Sequence, residues 1–280
     1  MSRVTHYDRE ELHRDGNIVV YHRYRAPQAD TALVVLPAMG VPAGYYGRLA
    51  KQLVAEGHDV TVLDWRGTGD SSPPATRRSL YGYLDLVDDA EVLMSRLAPE
   101  LTGSTVTLLG HSLGGHIAGL LLARWSRIGH HPADRLCLVA CGVPYHRLYG
   151  GRGIGVYALA AGMRLTAAAV GHWPGYGFAG RQSRGVVRDW AHTVRTGYFN
   201  DRELDTAIAE VKLPILAVTV DGDQFTPPVT TRHLTAKFSG ADITEVHYSH
   251  SAAGADVDHF TWARHPQGLL PTLSAFARGR

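Results

Sequence analysis

One short stretch, residues 105–125, constrains the fold of this chain more than any other. The apolar run 105–109 leads directly into Gly110-His111-Ser112-Leu113-Gly114, and an apolar helix-like run follows at 117–125. A G-x-S-x-G sequence between a strand and a helix is typical of a sharp turn that exposes its serine. Its glycines leave room for a strained turn and for close approach of the helix to the sheet. The stretch therefore predicts a strand–turn–helix unit with Ser112 at its apex; a plain Gly-Ser turn is the alternative.

The bulk composition restricts the class of protein and of partner. With 280 residues, 45% of them hydrophobic, the chain can bury one large core, with or without an insertion. A net charge of +2 with no basic run gives no reason to expect a nucleic-acid or membrane partner. No apolar run looks long enough to cross a bilayer, and residues 1–8 lack the apolar stretch of a signal peptide. We therefore expect a cytoplasmic protein, whose oligomeric state the sequence leaves open.

The two cysteines, Cys137 and Cys141, lie four residues apart in one apolar run. On a strand such positions are separated by about 13 Å, which is beyond the reach of a disulfide. The sequence predicts two buried, unpaired thiols.

Strand-like and helix-like runs alternate along most of the chain. Alternation of this kind predicts an α/β fold with a doubly wound, mostly parallel sheet and helices on both faces. The predicted strands are residues 18–25, 32–36, 59–63, 105–109, 136–141, 215–220 and 243–248, and the predicted helices are 45–56, 80–97 and 117–125.

Residues 143–211 interrupt this alternation. They contain no apolar strand but many glycines, aromatic residues and arginines, together with a helix-like run at 156–170. We interpret this segment as a helical cap inserted into an α/β core formed by residues 1–142 and 212–280. The aromatic density favours a lid over an apolar pocket, and a run of ordinary surface helices is the alternative.

A serine nucleophile needs a base to accept its proton and an acid to orient that base. In this strand order both are expected on loops after later strands, the acid before the histidine. Asp223 follows the strand 215–220 in a turn-rich loop and is the favoured acid, with Asp221 as the reserve. His259 lies in the loop between the last strand and the terminal helix, and it is the favoured base.

The oxyanion of an acyl-transfer intermediate needs two backbone donors. One is expected to be the N–H of Leu113, directly after the serine. The other is expected in the loop after strand 32–36, where Pro37 has no N–H. Ala38 and Met39 are the candidates, and Met39 is favoured; a simple Pro/Gly turn is the alternative reading of this loop.

Five sequence segments occur in the order found in the α/β-hydrolase superfamily, which the chain resembles from about residue 18 to its end. The Ala-Met-Gly-Val loop and the cap look like a bacterial branch of predicted hydrolases. Two departures matter: Pro37-Ala38 replaces the usual His-Gly, and the acid loop lacks a glycine three residues before Asp223, which keeps Asp221 open. The segments are residues 36–40, 64–71, 110–115, 223–227 and 259–260.

The resemblance implies a serine hydrolase that cleaves an ester-like bond of a small apolar molecule through an acyl-enzyme on Ser112. An acyltransferase or an eliminase using the same residues is one alternative, and a non-catalytic ligand-binding protein of the same fold is another. Dehalogenase or epoxide-hydrolase relatives carry an aspartate in place of Ser112. No metal or organic cofactor is expected, because no Cys/His cluster has zinc spacing and no Gly-rich loop has phosphate-binding spacing.

Overall fold

Continuous apolar runs form the central strands of the molecule, which a computed structural model describes from residue 7 to residue 280. Residues of these strands are buried on both sides because helices cover both faces of the sheet. The first six residues, which enter the argument about a signal peptide, lie outside the described part. The strands are β1 (Asp8–Arg14), β2 (Asn17–Tyr24), β3 (Thr31–Leu36), β4 (Asp59–Leu63), β5 (Thr105–His111), β6 (Arg135–Val139), β7 (His172–Trp173), β8 (Gln182–Ser183), β9 (Ile215–Val220) and β10 (Ile243–Tyr248).

Eight of these strands form one sheet in the order β1-β2-β4-β3-β5-β6-β9-β10. From β4 to β10 all neighbours are parallel, whereas β1, β2 and β4 pair antiparallel at one edge. The predicted mostly parallel, doubly wound sheet is confirmed. Its parallel strands bring the loops after β3, β5, β9 and β10 to one edge, where the candidate side chains lie.

Two differences from the predicted strands have physical reasons. The edge strand β1 was not predicted, because its sequence DREELHR is largely charged and only alternate residues are partly buried. Strand β6 ends at Val139 rather than residue 141. Ala140 adopts a positive φ of 46°, which turns the chain out of the sheet toward the segment predicted as a cap.

Helices flank the sheet on both faces, and the predicted helix 45–56 is divided into a 3-10 turn (Ala43–Tyr46) followed by an α-helix. The predicted helix 80–97 begins only at Tyr83, and the one at 117–125 extends over Leu113–Arg127. The α-helices are α1 (Gly47–Ala55), α2 (Tyr83–Leu97), α3 (Leu113–Arg127), α4 (Gly153–Val170), α5 (Arg184–Thr196), α6 (Arg202–Ala207), α7 (Pro228–Thr235), α8 (His250–Ala253) and α9 (Leu270–Ala277).

The segment 143–211 holds α4, α5, α6 and the small β7–β8 hairpin. The inner face of α4, with Met163 and Ala167, and the buried face of α5, with Val186 and Val187, belong to the same hydrophobic core as one face of the sheet. We keep the name cap for residues 143–211; its standing as a separate domain remains a prediction.

Both cysteines are buried and unpaired. Burial raises the pKa of each thiol well above its ordinary value. The Cys141 thiol lies directly behind the turn at the end of β5 and donates a hydrogen bond to the carbonyl oxygen of Ser112 at 3.1 Å.

Candidate active site

The turn between β5 and α3 holds Ser112 in a conformation that non-glycine residues rarely adopt. Its φ is 52° and its ψ is −116°, a conformation that costs about 1–3 kcal/mol and persists only where the surroundings enforce it. Gly114 and Gly110 provide the space. A Cβ on Gly114 would collide with the carbonyl of Leu36, and one on Gly110 would collide with the backbone of Gly115. The serine turn and the loop after β3 are therefore in backbone contact.

The three side chains predicted to act together are brought together. His259 Nε2 lies 3.0 Å from Ser112 Oγ, and His259 Nδ1 lies 2.9 Å and 3.0 Å from the two carboxylate oxygens of Asp223. The His259 and Asp223 side chains are almost completely buried. A carboxylate has no proton to give, so His259 Nδ1 carries the hydrogen and Nε2 is left to accept the proton of Ser112.

Local hydrogen bonds keep Asp223 ionised. Its carboxylate accepts from the N–H of Phe225 at 2.9 Å and from the N–H of Thr226 at 2.8 Å, as well as from the Thr226 hydroxyl. Burial by itself raises the pKa of Asp223, but the hydrogen bonds from His259 and Thr226 outweigh it and lower the pKa below its ordinary value.

The reserve acid, Asp221, lies elsewhere. It accepts from His247 Nε2 at 2.8 Å and from the N–H of His250 at 2.8 Å. The His247 ring and the His250 N–H thus fix the start of the acid loop next to the end of β10.

Sequence reasoning missed a buried chain of hydrogen bonds behind His259. The N–H of Ala38 donates to Tyr46 Oη at 3.0 Å, Tyr46 Oη donates to His111 Nδ1 at 2.7 Å, and His111 Nε2 donates to the carbonyl oxygen of His259 at 2.7 Å. Burial lowers the pKa of His111 to about 3, so the ring is neutral and can both accept and donate. This chain links the loop after β3 to the backbone of the candidate base. The one signal in the sequence is the histidine directly before Ser112, which cannot fold back as the base for that serine and is free for another role.

The same series of hydrogen bonds reduces the number of candidate oxyanion donors. Because Ala38 N–H is committed to Tyr46, the candidate left in this loop is Met39, whose N–H finds no acceptor among residues 7–280. Leu113 is the first residue of α3, where N–H groups have no partner within the helix. Met39 and Leu113 both line the cavity in front of Ser112. Their role as an oxyanion hole remains a prediction.

Ser112 and His259 open into a cavity of about 710 Å³, a size that suits a small organic ligand. His116, four residues after Ser112, also lines the cavity. Its Nε2 donates to the Gly142 carbonyl at 2.9 Å, and burial lowers its pKa to about 4. Most of the other walls are apolar. They include Met39, Leu113, Pro144, Tyr149, Val156, Leu159, Phe178, Trp190, Phe225 and Phe260.

Aromatic rings join the cap to the catalytic edge of the sheet. Trp190 packs against Phe178, with ring centroids 5.6 Å apart, and Phe178 stacks on Phe225 at 5.2 Å. Phe225 in turn contacts His259 at 5.1 Å. The hydroxyl of Tyr149 in the cap donates to the Phe225 carbonyl. The aromatic residues of the cap therefore form one wall of the cavity; that the cap acts as a lid remains a prediction.

Among the described residues, His22, Asp64 and Asp70 form a group that could hold a metal ion, with ligand atoms within 4.8 Å of one another. The Asp64 carboxylate, however, already accepts the N–H groups of Ala43 and Asp70, at 2.5 Å and 2.9 Å. These bonds fix the loop after β4, and we assign the group a structural role.

The chain matches the family model described as serine aminopeptidase S33 over residues 27–189, more than half its length. No curated protein sequence matches it significantly. Among solved structures, a soluble variant of monoglyceride lipase from Saccharomyces cerevisiae has a TM-score of 0.71 at 14% identity, covering 99% of this chain and 97% of that one.

Two further structures show the same fold. An alpha/beta hydrolase fold protein from Chitinophaga pinensis has a TM-score of 0.64 at 13% identity, with both chains covered completely. The enol-lactonase from Burkholderia xenovorans has a TM-score of 0.61 at 17% identity, covering 96% of this chain and 100% of that chain. The chain thus belongs to the serine aminopeptidase S33 family, whose members are enzymes of the α/β-hydrolase fold.

Proposed function

We propose that the protein is a serine hydrolase that cleaves a carboxylic ester, thioester or lactone of a small apolar substrate. The observation that carries the proposal is the continuous Ser112–His259–Asp223 contact at the floor of an apolar cavity. The family and the similar structures support hydrolysis of an esterase or lipase type. The substrate and the bond are inferred from the site.

In this mechanism His259 Nε2 accepts the Ser112 proton while Ser112 Oγ forms a bond to the carbonyl carbon of the substrate. Asp223 stabilises the imidazolium that results. The N–H groups of Met39 and Leu113 stabilise the oxyanion, and the His259 proton passes to the leaving oxygen or sulfur as that bond breaks. Water, deprotonated by the same His259, then attacks the acyl-enzyme and releases the acid.

The lining of the cavity argues against an amino-terminal peptide as substrate. A free α-ammonium group would need a buried carboxylate, and Asp258 is the one acidic side chain among the described residues that line the cavity. Its carboxylate is exposed and already accepts from Phe260 N–H, Thr261 N–H and the Thr261 hydroxyl. The remaining apolar lining suits an acyl or aromatic group.

The first test is intact-protein mass spectrometry after treatment with a fluorophosphonate, beside the Ser112→Ala variant. We expect a single adduct on Ser112 that is missing in the variant, and at least about a 10⁴-fold loss of ester turnover with little change in thermal stability. Retained turnover in Ser112→Ala would overturn the proposal. An ester, thioester and lactone panel, run with and without an added alcohol acceptor, then separates hydrolysis from acyl transfer.

Turnover is also what separates this proposal from a non-catalytic role. If a ligand binds tightly in the cavity, none of the esters, thioesters and lactones is cleaved and the fluorophosphonate forms no adduct on Ser112, the protein is a ligand-binding member of the fold. Elimination would release an unsaturated product without any acyl-enzyme, which product analysis detects.

A further inference from the structure

One side of helix α4 is apolar and exposed to solvent. Its buried residues, Gly153, Ala160, Met163 and Ala167, lie on one side. The opposite side, which we call the outer face, consists of Ile154, Ala158, Gly162, Leu165 and Ala169, all exposed. Ile154 is 82% exposed and Leu165 71%. A contiguous apolar patch of this kind marks an interaction site in a soluble protein.

The geometry of α4 favours a helix that lies on an apolar medium over one that crosses it. By length and composition, the stretch His146–Val170 could span a bilayer, which corrects the expectation that no apolar run is long enough; only 22% of its apolar window is buried. Its inner face, however, packs into the main hydrophobic core and against α5. A helix held along one side by protein can bury only its outer face, as interfacial helices do.

The charge around α4 indicates which apolar medium fits. Although the net charge of the chain is only +2, residues 143–188 contain no aspartate or glutamate. Their six arginines give this part of the cap a positive surface that the overall balance conceals. These arginines are Arg147, Arg152, Arg164, Arg181, Arg184 and Arg188.

Part of this charge lines a groove of about 240 Å³ between α4 and α5, which we call the arginine groove. Three alanines and Tyr157 line it together with the polar side chains of Arg164, Arg188, His192, Arg195 and Asn200. Arg188 pairs with Asp189, whereas Arg164 and Arg195 form no ion pair with any residue from 7 to 280. The Asp189 carboxylate is occupied by Arg188 and by the side-chain amide of Asn200. The two unpaired guanidinium groups, Arg164 and Arg195, lie on a concave surface and suit a phosphate group.

The outer face lies between the arginine groove and the catalytic cavity. Val156 and Leu159 of α4 line the cavity, while Ala161 and Arg164 line the groove on the other flank. A lipid layer that touched the outer face would therefore place headgroups at the groove and acyl chains beside the mouth of the cavity.

We propose that the cap docks on an anionic lipid surface, with the outer face of α4 in the acyl-chain region and the arginine groove on lipid phosphates. A second copy of the chain fits less well, because a two-fold contact through α4 would bring the arginines of both copies together. From the net charge alone, no membrane partner was expected; this proposal replaces that expectation.

The test is flotation of the full-length protein with vesicles of phosphatidylcholine alone or mixed with phosphatidylglycerol. We expect binding to the anionic vesicles that weakens with salt, and much weaker binding to the zwitterionic ones. Leu165→Ser should lower the partition coefficient about tenfold. Arg164→Gln should lower it about fivefold.

Matched control variants distinguish binding through this site from nonspecific adsorption to vesicles. Ile128→Ser removes an apolar side chain of similar exposure (69%) at the end of α3, and Arg48→Gln removes an exposed arginine in α1. Both should bind vesicles as the wild type does. Adding inorganic phosphate at matched ionic strength tests the groove itself: competition with vesicles supports phosphate recognition there.

Three results would overturn the proposal: no binding to anionic vesicles, equal losses in Leu165→Ser and Ile128→Ser, or a concentration-dependent dimer that Leu165→Ser dissociates. The last would assign the outer face to a second copy. Because flotation needs no turnover, and a water-soluble short-chain ester should be cleaved equally by wild type and Leu165→Ser, this proposal can fail while the proposed function stands.

Discussion

The catalytic edge of the sheet and helix α4 of the cap are built in opposite ways. At the catalytic edge, the side chains of Asp223 and His259 are buried and Ser112 is partly buried. A dense set of hydrogen bonds holds them, including a second layer through His111 and Tyr46. Helix α4 is anchored on one side only and presents apolar side chains to solvent. The contrast agrees with both proposals: the ordered sheet edge suits the proposed chemistry, and the uncovered helix suits the proposed docking on lipid.

The largest expected effect tests the catalytic edge through its two aspartates. In Asp223→Asn, the new amide donates toward His259 Nδ1 and forces the proton onto Nε2, so the ring can no longer accept the Ser112 proton. We expect kcat to fall about 10⁴-fold. Asp221→Asn, two residues away, should keep kcat within about twofold, because Asp221 contacts His247 and not His259. Steady-state kinetics on one ester would decide, and a comparable loss in both variants would contradict the assignment of the acid.

A pair of glycine substitutions sharpens the comparison. In Gly114→Ala, the new Cβ meets the Leu36 carbonyl, which is backbone and cannot move aside alone, so we expect a loss of about 3 kcal/mol in the free energy of unfolding and impaired turnover. Gly162 lies on the outer face of α4 with no atom near a Cβ. Gly162→Ala should stabilise the helix by up to about 1 kcal/mol. Denaturant titration measures both, and equal effects would remove the contrast between the regions.

The last expected effect, spread over more than two pH units, is a pH dependence of stability that arises near the catalytic edge. Burial lowers the pKa of His116 to about 4 from an ordinary 6.5. Between these pH values His116 is protonated in the unfolded chain but neutral in the folded one. The free energy of unfolding therefore falls as the pH is lowered from 6.5 to 4, and His116 does not affect it above pH 6.5. The full effect is up to about 3 kcal/mol.

Thermal denaturation from pH 7 to pH 4 measures this slope. His116→Gln should flatten it, while His111 and His58, whose pKa values burial also lowers, keep part of it. An identical slope in wild type and His116→Gln would show that the buried ring does not control acid stability.

The sequence predicted the sheet and the three site side chains because both follow from short-range signals. Continuous apolar runs mark buried parallel strands, and polar residues directly after them mark the functional edge. Strand β1 escaped prediction because an exposed edge strand needs no apolar run. The hydrogen bonds from Ala38 through Tyr46 and His111 to His259 escaped prediction because they join three segments that are distant in sequence and meet only in the folded sheet. Likewise, the apolar run of α4 predicted a helix but gave no sign that its outer face stays uncovered.

The burial of Cys137 and Cys141 makes it practical to label the cap at a single introduced cysteine. Both thiols are neutral at physiological pH and shielded by the core, so thiol-directed labels should not reach them in the folded protein. A cysteine introduced at Ala158 or Ala169 would then be the single reactive thiol of the chain. An environment-sensitive dye attached there would report, in real time and without altering the native thiols, when the outer face of α4 leaves water.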